Sequence, residues 1–266
     1  MLAFPNIDPV IVQIGPLAIT WYSLSYVTGV MVGWYYVLKI IDAHSLKISR
    51  KNIDDFISWA ILGIIIGGRL GHVFFYEPAK YFSDPISILK TYEGGMSFHG
   101  GVCGFVGATL IFCRKNKLIF LELLDVCSMV GPIGLFLGRI ANFINAELYG
   151  RVGDVPWAFI FPYSDMLPRH PSQLYEAFLE GIVLLFIQRY AGKLGALKHH
   201  GMLSGIFLIF YSCFRIIVEF FREPDFKIGY FANYFTMGQL LCVPMIIIGA
   251  ALIFYSKKSI WLSMQK

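Results

Sequence analysis

Seven nearly continuous apolar runs alternate along the chain with short polar connectors, at about residues 22–41, 56–76, 96–113, 121–144, 174–190, 201–221 and 236–255. A helix needs about 20 mostly apolar residues to cross a bilayer, so each run reads as a transmembrane helix. The fifth is the shortest and carries Glu176 and Glu180, which makes it the weakest of the seven. Six spans would return both termini to one side of the membrane. The pattern predicts an all-α polytopic fold, with residues 1–266 as a single integral membrane domain. The one long connector, residues 150–173, is rich in proline and aromatic residues, with Trp157, Phe159, Phe161 and Tyr163. It reads as a loop with aromatics at headgroup level or as a small extracytoplasmic cap.

Composition narrows the class further. Of the 266 residues, 57% are hydrophobic and 15% charged, with a mean hydropathy of +0.64, against about 25% charged in ordinary soluble domains. Seven spans would use about 140 residues and leave no room for a separate soluble catalytic domain. The net charge of +5 comes without a basic run, so nucleic acid is not an expected partner. Cys103, Cys113, Cys127, Cys213 and Cys242 form no CxxC pair and fall in or beside apolar stretches, where thiols pack as small hydrophobes. Neither a disulfide framework nor a metal or other cofactor is expected. The start, MLAFPNIDPV, lacks a basic n-region and precedes a third proline at Pro16, unlike a cleavable signal peptide.

Lysine and arginine set the orientation, because cytoplasmic segments hold the excess. With the N-terminus outside, the inner segments carry 13 basic residues and the outer ones 6. This predicts N-out and C-in. Arg69, Arg139 and Arg215 remain, inside or at the ends of spans. A charge at a helix centre costs about 2.5–3.5 kcal/mol on insertion scales and usually faces a bundle interior or a wet cavity.

In this topology the polar positions of several spans share the outer half of the membrane: Tyr22, Arg69, His99, the group Arg139, Asn142, Asn145 and Glu147, and the group Arg215, Glu219 and Arg222. No polar cluster is expected at the inner end. At 100° per residue, Arg139, Asn142, Ala146 and Gly150 fall on one helical stripe. Tyr211, Arg215, Glu219 and Arg222 form a second stripe, in which Glu219 can pair with either arginine and leave the other free. A positive surplus beneath the outer surface suits an anionic lipid headgroup, since the arginine fork matches phosphate oxygens. The same arginines could instead tie helices together through Glu147 and Glu219.

His99 sits in GMSFHGG (residues 95–101), where glycines allow close approach, and an imidazole with an ordinary pKa near 6.5 suits general-base work. It reads equally as a packing residue. Cys103 at i+4 makes a Cys/His pair conceivable, although cysteine is common filler in these spans, and His72 reads as packed or turned to water.

At these residues the chain resembles the bacterial prolipoprotein diacylglyceryl transferase family. The likeness runs through FPNIDPVIVQIGPLAITWYSL (residues 4–24), GGRLGHVFFY (67–76), GGMSFHGG (94–101), GRIANFINAELYGR (138–151), RHPSQLYEA (169–177) and RIIVEFFREPD (215–225). The fourth block is the most specific. Ala141 and Ala146 stand where the family often has glycine, and a methyl at Ala146 is expected to narrow a lipid slot.

The resemblance implies transfer of the diacylglyceryl group of phosphatidylglycerol to a cysteine thiol in the signal peptide of a prelipoprotein, forming a thioether and releasing glycerol phosphate. The nucleophile then belongs to the substrate. It also implies a multi-pass protein of the bacterial inner membrane with its site facing the outer leaflet. By motif position, His99, Arg139 and Arg215 are the expected catalytic residues, with His99 as base and the arginines on the phosphate. Tyr22, Arg69, Asn142, Asn145, Glu147, Gly150, Tyr211, Glu219 and Arg222 are expected to bind or orient the substrates. A seven-helix transporter or receptor for an anionic lipid or metabolite is the alternative; transporters usually place polar sites near the midplane and show repeat symmetry.

Overall fold

The computed structural model describes the chain apart from residues 1, 6, 16, 45, 92, 93, 163, 225–229, 232–234, 265 and 266, and apart from the side chains of residues 17, 230, 231 and 258–264. Asn6, Pro16, Tyr163, Asp225, Lys227 and Lys266, which enter the sequence reading, lie outside the described residues. The chain forms two compact units, residues 37–124 and residues 1–36 with 125–266.

The 37–124 unit holds the end of α1 (Trp21–Ala43), α2 (Arg50–Phe75), α3 (Pro78–Ser83), a 3₁₀ turn (Pro85–Leu89), α4 (Phe98–Asn116) and the start of α5 (Phe120–Ile144). A capping box starts α2: Asn52 N donates to Ser49 Oγ, and Ser49 N donates back to Asn52 Oδ1. Helix α2 then packs on α4 through facing small residues, Gly63, Gly67 and Gly71 against Gly100, Gly104 and Ala108. A Cβ on Gly63 would stand 2.6 Å from the Ala108 Cβ, and one on Gly71 would stand 2.8 Å from the Gly100 Cα. In lipid, such close backbone contact replaces the hydrophobic drive that water would supply.

The second unit is built from the rest of α1, most of α5, the run α6 (Ser172–Glu176), a π-helical turn (Ala177–Val183) and α7 (Leu184–Lys193), then α8 (Met202–Glu219) and α9 (Met237–Met264). Gly205 and Gly249 bring α8 and α9 together: a Cβ on Gly205 would stand 2.7 Å from the Gly249 carbonyl. Gly181 likewise seats the π turn on α5, where its Cβ would stand 2.6 Å from the Phe136 Cβ.

Among the described residues, five helices are long and apolar enough to cross a membrane: Trp21–Ala43, Arg50–Phe75, Phe120–Ile144, Met202–Glu219 and Met237–Lys257. Large apolar side chains such as Met31, Leu62, Ile247 and Phe254 are exposed along them, and only 11% of the α9 window is buried. Soluble surfaces rarely show this. The other two predicted spans are helical as α4 and as the run 172–193.

The all-α expectation needs one amendment, because backbone beyond helix ends must still pair its polar groups. Strand β1 (Leu2–Ala3) pairs with β4 (Phe159–Ile160), which pairs with β5 (Pro168–Arg169). Strands β2 (Val10–Ile14) and β3 (Leu17–Thr20) form a hairpin, as do β6 (Tyr230–Phe231) and β7 (Phe235–Thr236). Residues 150–173, read as a loop or cap, contain β4 and β5. The segment is tied by the bridges Gly150 to Arg222 and Val152 to Arg169, beside an aromatic cluster of Phe4, Phe143, Phe159 and Phe161.

Candidate functional site

Arg139 and Asn142 lie one turn apart near the end of α5, but the predicted stripe stops there. The helix ends at Ile144, Ala146 and Leu148 turn left-handed at φ 54° and 56°, and Gly150 belongs to the bridge with Arg222. The position at Ala146 therefore favours glycine for its backbone, a reason separate from the expected narrowing of a lipid slot. Asn142 Nδ2 donates to Glu147 Oε1 at 2.7 Å and Asn145 Nδ2 to the same oxygen at 3.4 Å. Gln173 Nε2 and Ser172 Oγ donate to the carbonyls of Glu147 and Leu148. The exit of α5 is thus held on the start of α6.

At the centre lies Glu176, a residue the sequence reading did not place in the site. Its side chain is 0% exposed and meets three guanidinium groups: Arg139 Nε at 3.0 Å, Arg222 Nη1 at 3.0 Å and Arg215 Nη1. Arg215 also donates to Glu219 Oε1 at 2.7 Å. Glu180, equally buried, stands 3.6 Å from Arg139 Nη2. The helix-tying role thus belongs to Glu176 and Glu219, while Glu147 serves the two asparagines. The free arginine and positive surplus expected on the second stripe are corrected as well: Glu219 takes Arg215, Arg222 turns to Glu176, and three glutamates face three arginines. Two acids four residues apart inside an apolar run were the available signal, since an ionisable residue within a span marks function by default. The π turn that carries Glu180 is a second marker.

The arginines differ in what they have left to offer. Arg69 donates to the carbonyls of Ser87, Ile88, Lys90, Gly94 and Gly95 and lies over the Tyr81 ring, so it organises the connector before α4. Arg169 is held by Asp165, Glu223 and the Gly150 carbonyl. Arg151 donates to the carbonyls of Arg222 and Glu219. Arg139, 17% exposed in its side chain, makes ion pairs but no aligned hydrogen bond to any described residue. Its fork is thus held by charge alone, without the aligned hydrogen bonds that fix Arg69, Arg151 and Arg169.

Tyr22 pairs its hydroxyl with Tyr26 at 3.1 Å and feels the charges of Glu147 and Arg139. Tyr211 stacks on Phe207 and lies within the field of Glu180, Arg215 and Arg139. Gly150 has a packing reason, because a Cβ there would stand 2.6 Å from the His170 carbonyl. An apolar groove of about 470 Å³, lined in part by Trp157, His170, Tyr175, Phe178, Ile217 and Phe221, flanks the chain segments that carry Glu176 and Glu219. Burial lowers the His170 imidazole from its ordinary value, and the Arg169 guanidinium holds the Asp165 carboxyl below the usual carboxylate range.

His99 and Arg69 lie in the 37–124 unit, and the remaining predicted site residues lie in the other. His99 is the second residue of α4, just after the N-cap Ser97, whose Oγ accepts from Gly100 N at 3.2 Å. Its ring is exposed, with Phe98 beside it edge to face. Cys103 is a free, exposed thiol, and His72 stacks on Tyr76. No group of three or more His, Cys, Asp or Glu among the described residues could hold a metal ion.

The expectation that polar clusters avoid the other end of the helices is also corrected. Asp125, near the start of α5 and 0% exposed, accepts from Gly201 N at 2.6 Å and from Ser204 N and Oγ at 2.7 Å. The first turn of α8 has unsatisfied N–H groups wherever it lies, and a buried acid is one way to pair them.

A model of the family described as prolipoprotein diacylglyceryl transferase matches residues 9–255. The phosphatidylglycerol–prolipoprotein diacylglyceryl transferase of Rickettsia felis is 59% identical over 253 residues, covering 95% of this chain and 98% of its own. The Rickettsia rickettsii (strain Sheila Smith) protein of the same name is similar at 59% identity, and that of Rickettsia typhi at 57%, each with the same coverage.

Proposed function

Because the chain belongs to the prolipoprotein diacylglyceryl transferase family, we propose that it transfers the diacylglyceryl group of phosphatidylglycerol to the thiol of a prolipoprotein cysteine. The cysteine sulfur forms a bond to the glycerol carbon while that carbon's bond to the phosphate oxygen breaks. The thiol proton passes to a base, and the electron pair leaves on glycerol phosphate. No nucleophile of the enzyme's own is needed.

The single observation that carries this reading is Arg139, a partly exposed guanidinium with no aligned hydrogen bond at the edge of a buried ionic network. A phosphate that gains charge as the carbon–oxygen bond breaks is stabilised by a positive group already in place. Arg215 adds a second fixed positive charge through its hold on Glu176 and Glu219. Tyr22, Asn142, Asn145 and Glu147 orient Arg139 and the headgroup, Tyr211 borders the network, and Arg222 closes it. The base role of His99 rests on its place in GMSFHGG; a thiol is only a few per cent ionised at neutral pH and gains from a base.

In the membrane, α4 and the run 172–193 complete seven crossings, N-out and C-in, with residues 150–173 as an extracytoplasmic cap. Support comes from the 13 to 6 distribution of basic residues. The protein then sits in the bacterial inner membrane, its site facing the outer leaflet, and acts on signal peptides there. The test is mass spectrometry of a cysteine-containing signal peptide incubated with the protein in phosphatidylglycerol vesicles. A diacylglyceryl mass on the peptide is expected; an unchanged peptide would favour the transporter or receptor alternative. Near-wild-type transfer by His99→Gln would remove the base role.

A further inference from the structure

Three arginines, Arg139, Arg215 and Arg222, face three glutamates, Glu176, Glu180 and Glu219, so with all six ionised this network is neutral. A phosphodiester on Arg139 would add a negative charge to a site with little water, and such a charge is costly unless something compensates it. Glu176 is held by three guanidiniums and Glu219 by Arg215 at 2.7 Å. Glu180 has the weakest support: neither of its oxygens accepts a hydrogen bond, and its ion pair to Arg139 Nη2 is 3.6 Å long. It also cannot swing out to water. Its side chain is 0% exposed, and the adjacent Gly181 presses the π turn onto Phe136 of α5.

We propose that Glu180 is the charge-compensating residue of this site, taking up one proton as the phosphodiester settles on Arg139 and releasing it when the anion leaves. The proton comes from solvent and the carboxylate becomes a neutral acid, so one negative charge enters as another is cancelled. Arg139, freed from its ion pair with Glu180, can then turn its fork to the phosphate. The charged and titratable groups around Glu180 are Arg139 from α5, Glu176 from its own segment, Arg215 and Tyr211 from α8, Arg222 just beyond α8, and Cys242 from α9. Glu180 acts through Arg139 and is therefore a positioning residue. The inference rests on the phosphatidylglycerol reading.

The test uses the full-length protein in nanodiscs without anionic lipid, titrated calorimetrically with a short-chain phosphatidylglycerol in buffers of different ionisation enthalpy. No peptide is present, so thiol ionisation does not enter. On the alkaline side of the active range, wild type should take up close to one proton per lipid bound, and its Kd should rise about tenfold per pH unit. Glu180→Gln should bind with no uptake and a flat Kd, while His99→Gln should keep the uptake. Binding without uptake in wild type, an unchanged slope in Glu180→Gln, or loss of the uptake in His99→Gln would each overturn the proposal. If Glu180→Gln does not fold, the wild-type and His99→Gln counts still decide it. No lipid binding and no transfer in wild type would instead refute the functional reading.

Discussion

Two ends of the same helix solve the same problem differently. Near the start of α5, Asp125 is buried without an arginine and gives both oxygens to N–H and O–H donors at the first turn of α8. Near its end, Glu176 and Glu180 are buried among guanidiniums, and Glu180 has no hydrogen bond. Backbone donors are fixed by the helix and cannot turn to a ligand; their charge is the partial charge of a helix N-terminus. Guanidinium forks on side chains can change partners. Burial of an acid therefore does not distinguish a structural tie from a working site, but the kind of donor opposite it does.

The contrast predicts a graded set of outcomes. Glu176→Gln should have the largest effect, about 3–5 kcal/mol of stability, because three guanidiniums would lose their shared carboxylate; thermal unfolding in nanodiscs reads it, and transfer should be lost as well. Arg139→Lys keeps the charge but loses the fork, and should slow transfer about 10²–10³-fold with little change in the unfolding midpoint. A fall in stability as large as that of Glu176→Gln would make Arg139 another tie. Asp125→Asn should do the reverse, costing about 2 kcal/mol of stability while the folded fraction transfers at the wild-type rate.

Smaller effects are expected outside the two clusters. Ala146→Gly should raise stability by about 0.5–1 kcal/mol, since glycine enters the left-handed region without the penalty alanine carries, and the phosphatidylglycerol KM should not move. A changed KM would favour the slot reading. The smallest effect concerns pH. His170 has a folded value below its ordinary 6.5 because of burial, so the unfolded chain protonates first and stability falls as pH drops through that range. Asp165 is also lowered, by Arg169; its contribution is present above the usual carboxylate range and is lost as pH falls through the depressed value. Unfolding midpoints measured from neutral to acid should decline in two steps, with His170→Gln lacking the upper one.

Much of the helical layout was legible in the sequence. The five helices that satisfy length and apolarity all coincide with predicted spans, because a bilayer-length apolar run has few other folded options. The i, i+4 pair of Arg215 and Glu219 was legible for the same reason, as helical spacing alone brings them together. The stripe through Ala146 and Gly150 was not, because the left-handed turn after Ile144 takes both residues off the helix. Glu176 was read as a reason to doubt a span, when it is the partner of three arginines from two other helices and the chain beyond α8.

Composition and periodicity were sufficient for membrane residence, for most helix positions and for the kinds of side chain available to a phosphate, since these depend on local chain and solvent chemistry. Which arginine lacks an aligned hydrogen bond, which acid each one meets, and that Arg69 holds a connector depended on contacts between segments far apart in the chain. Helical phase orders residues along one element. It carries no information about what the neighbouring element presents, and the charge balance of a buried site is set by that neighbour.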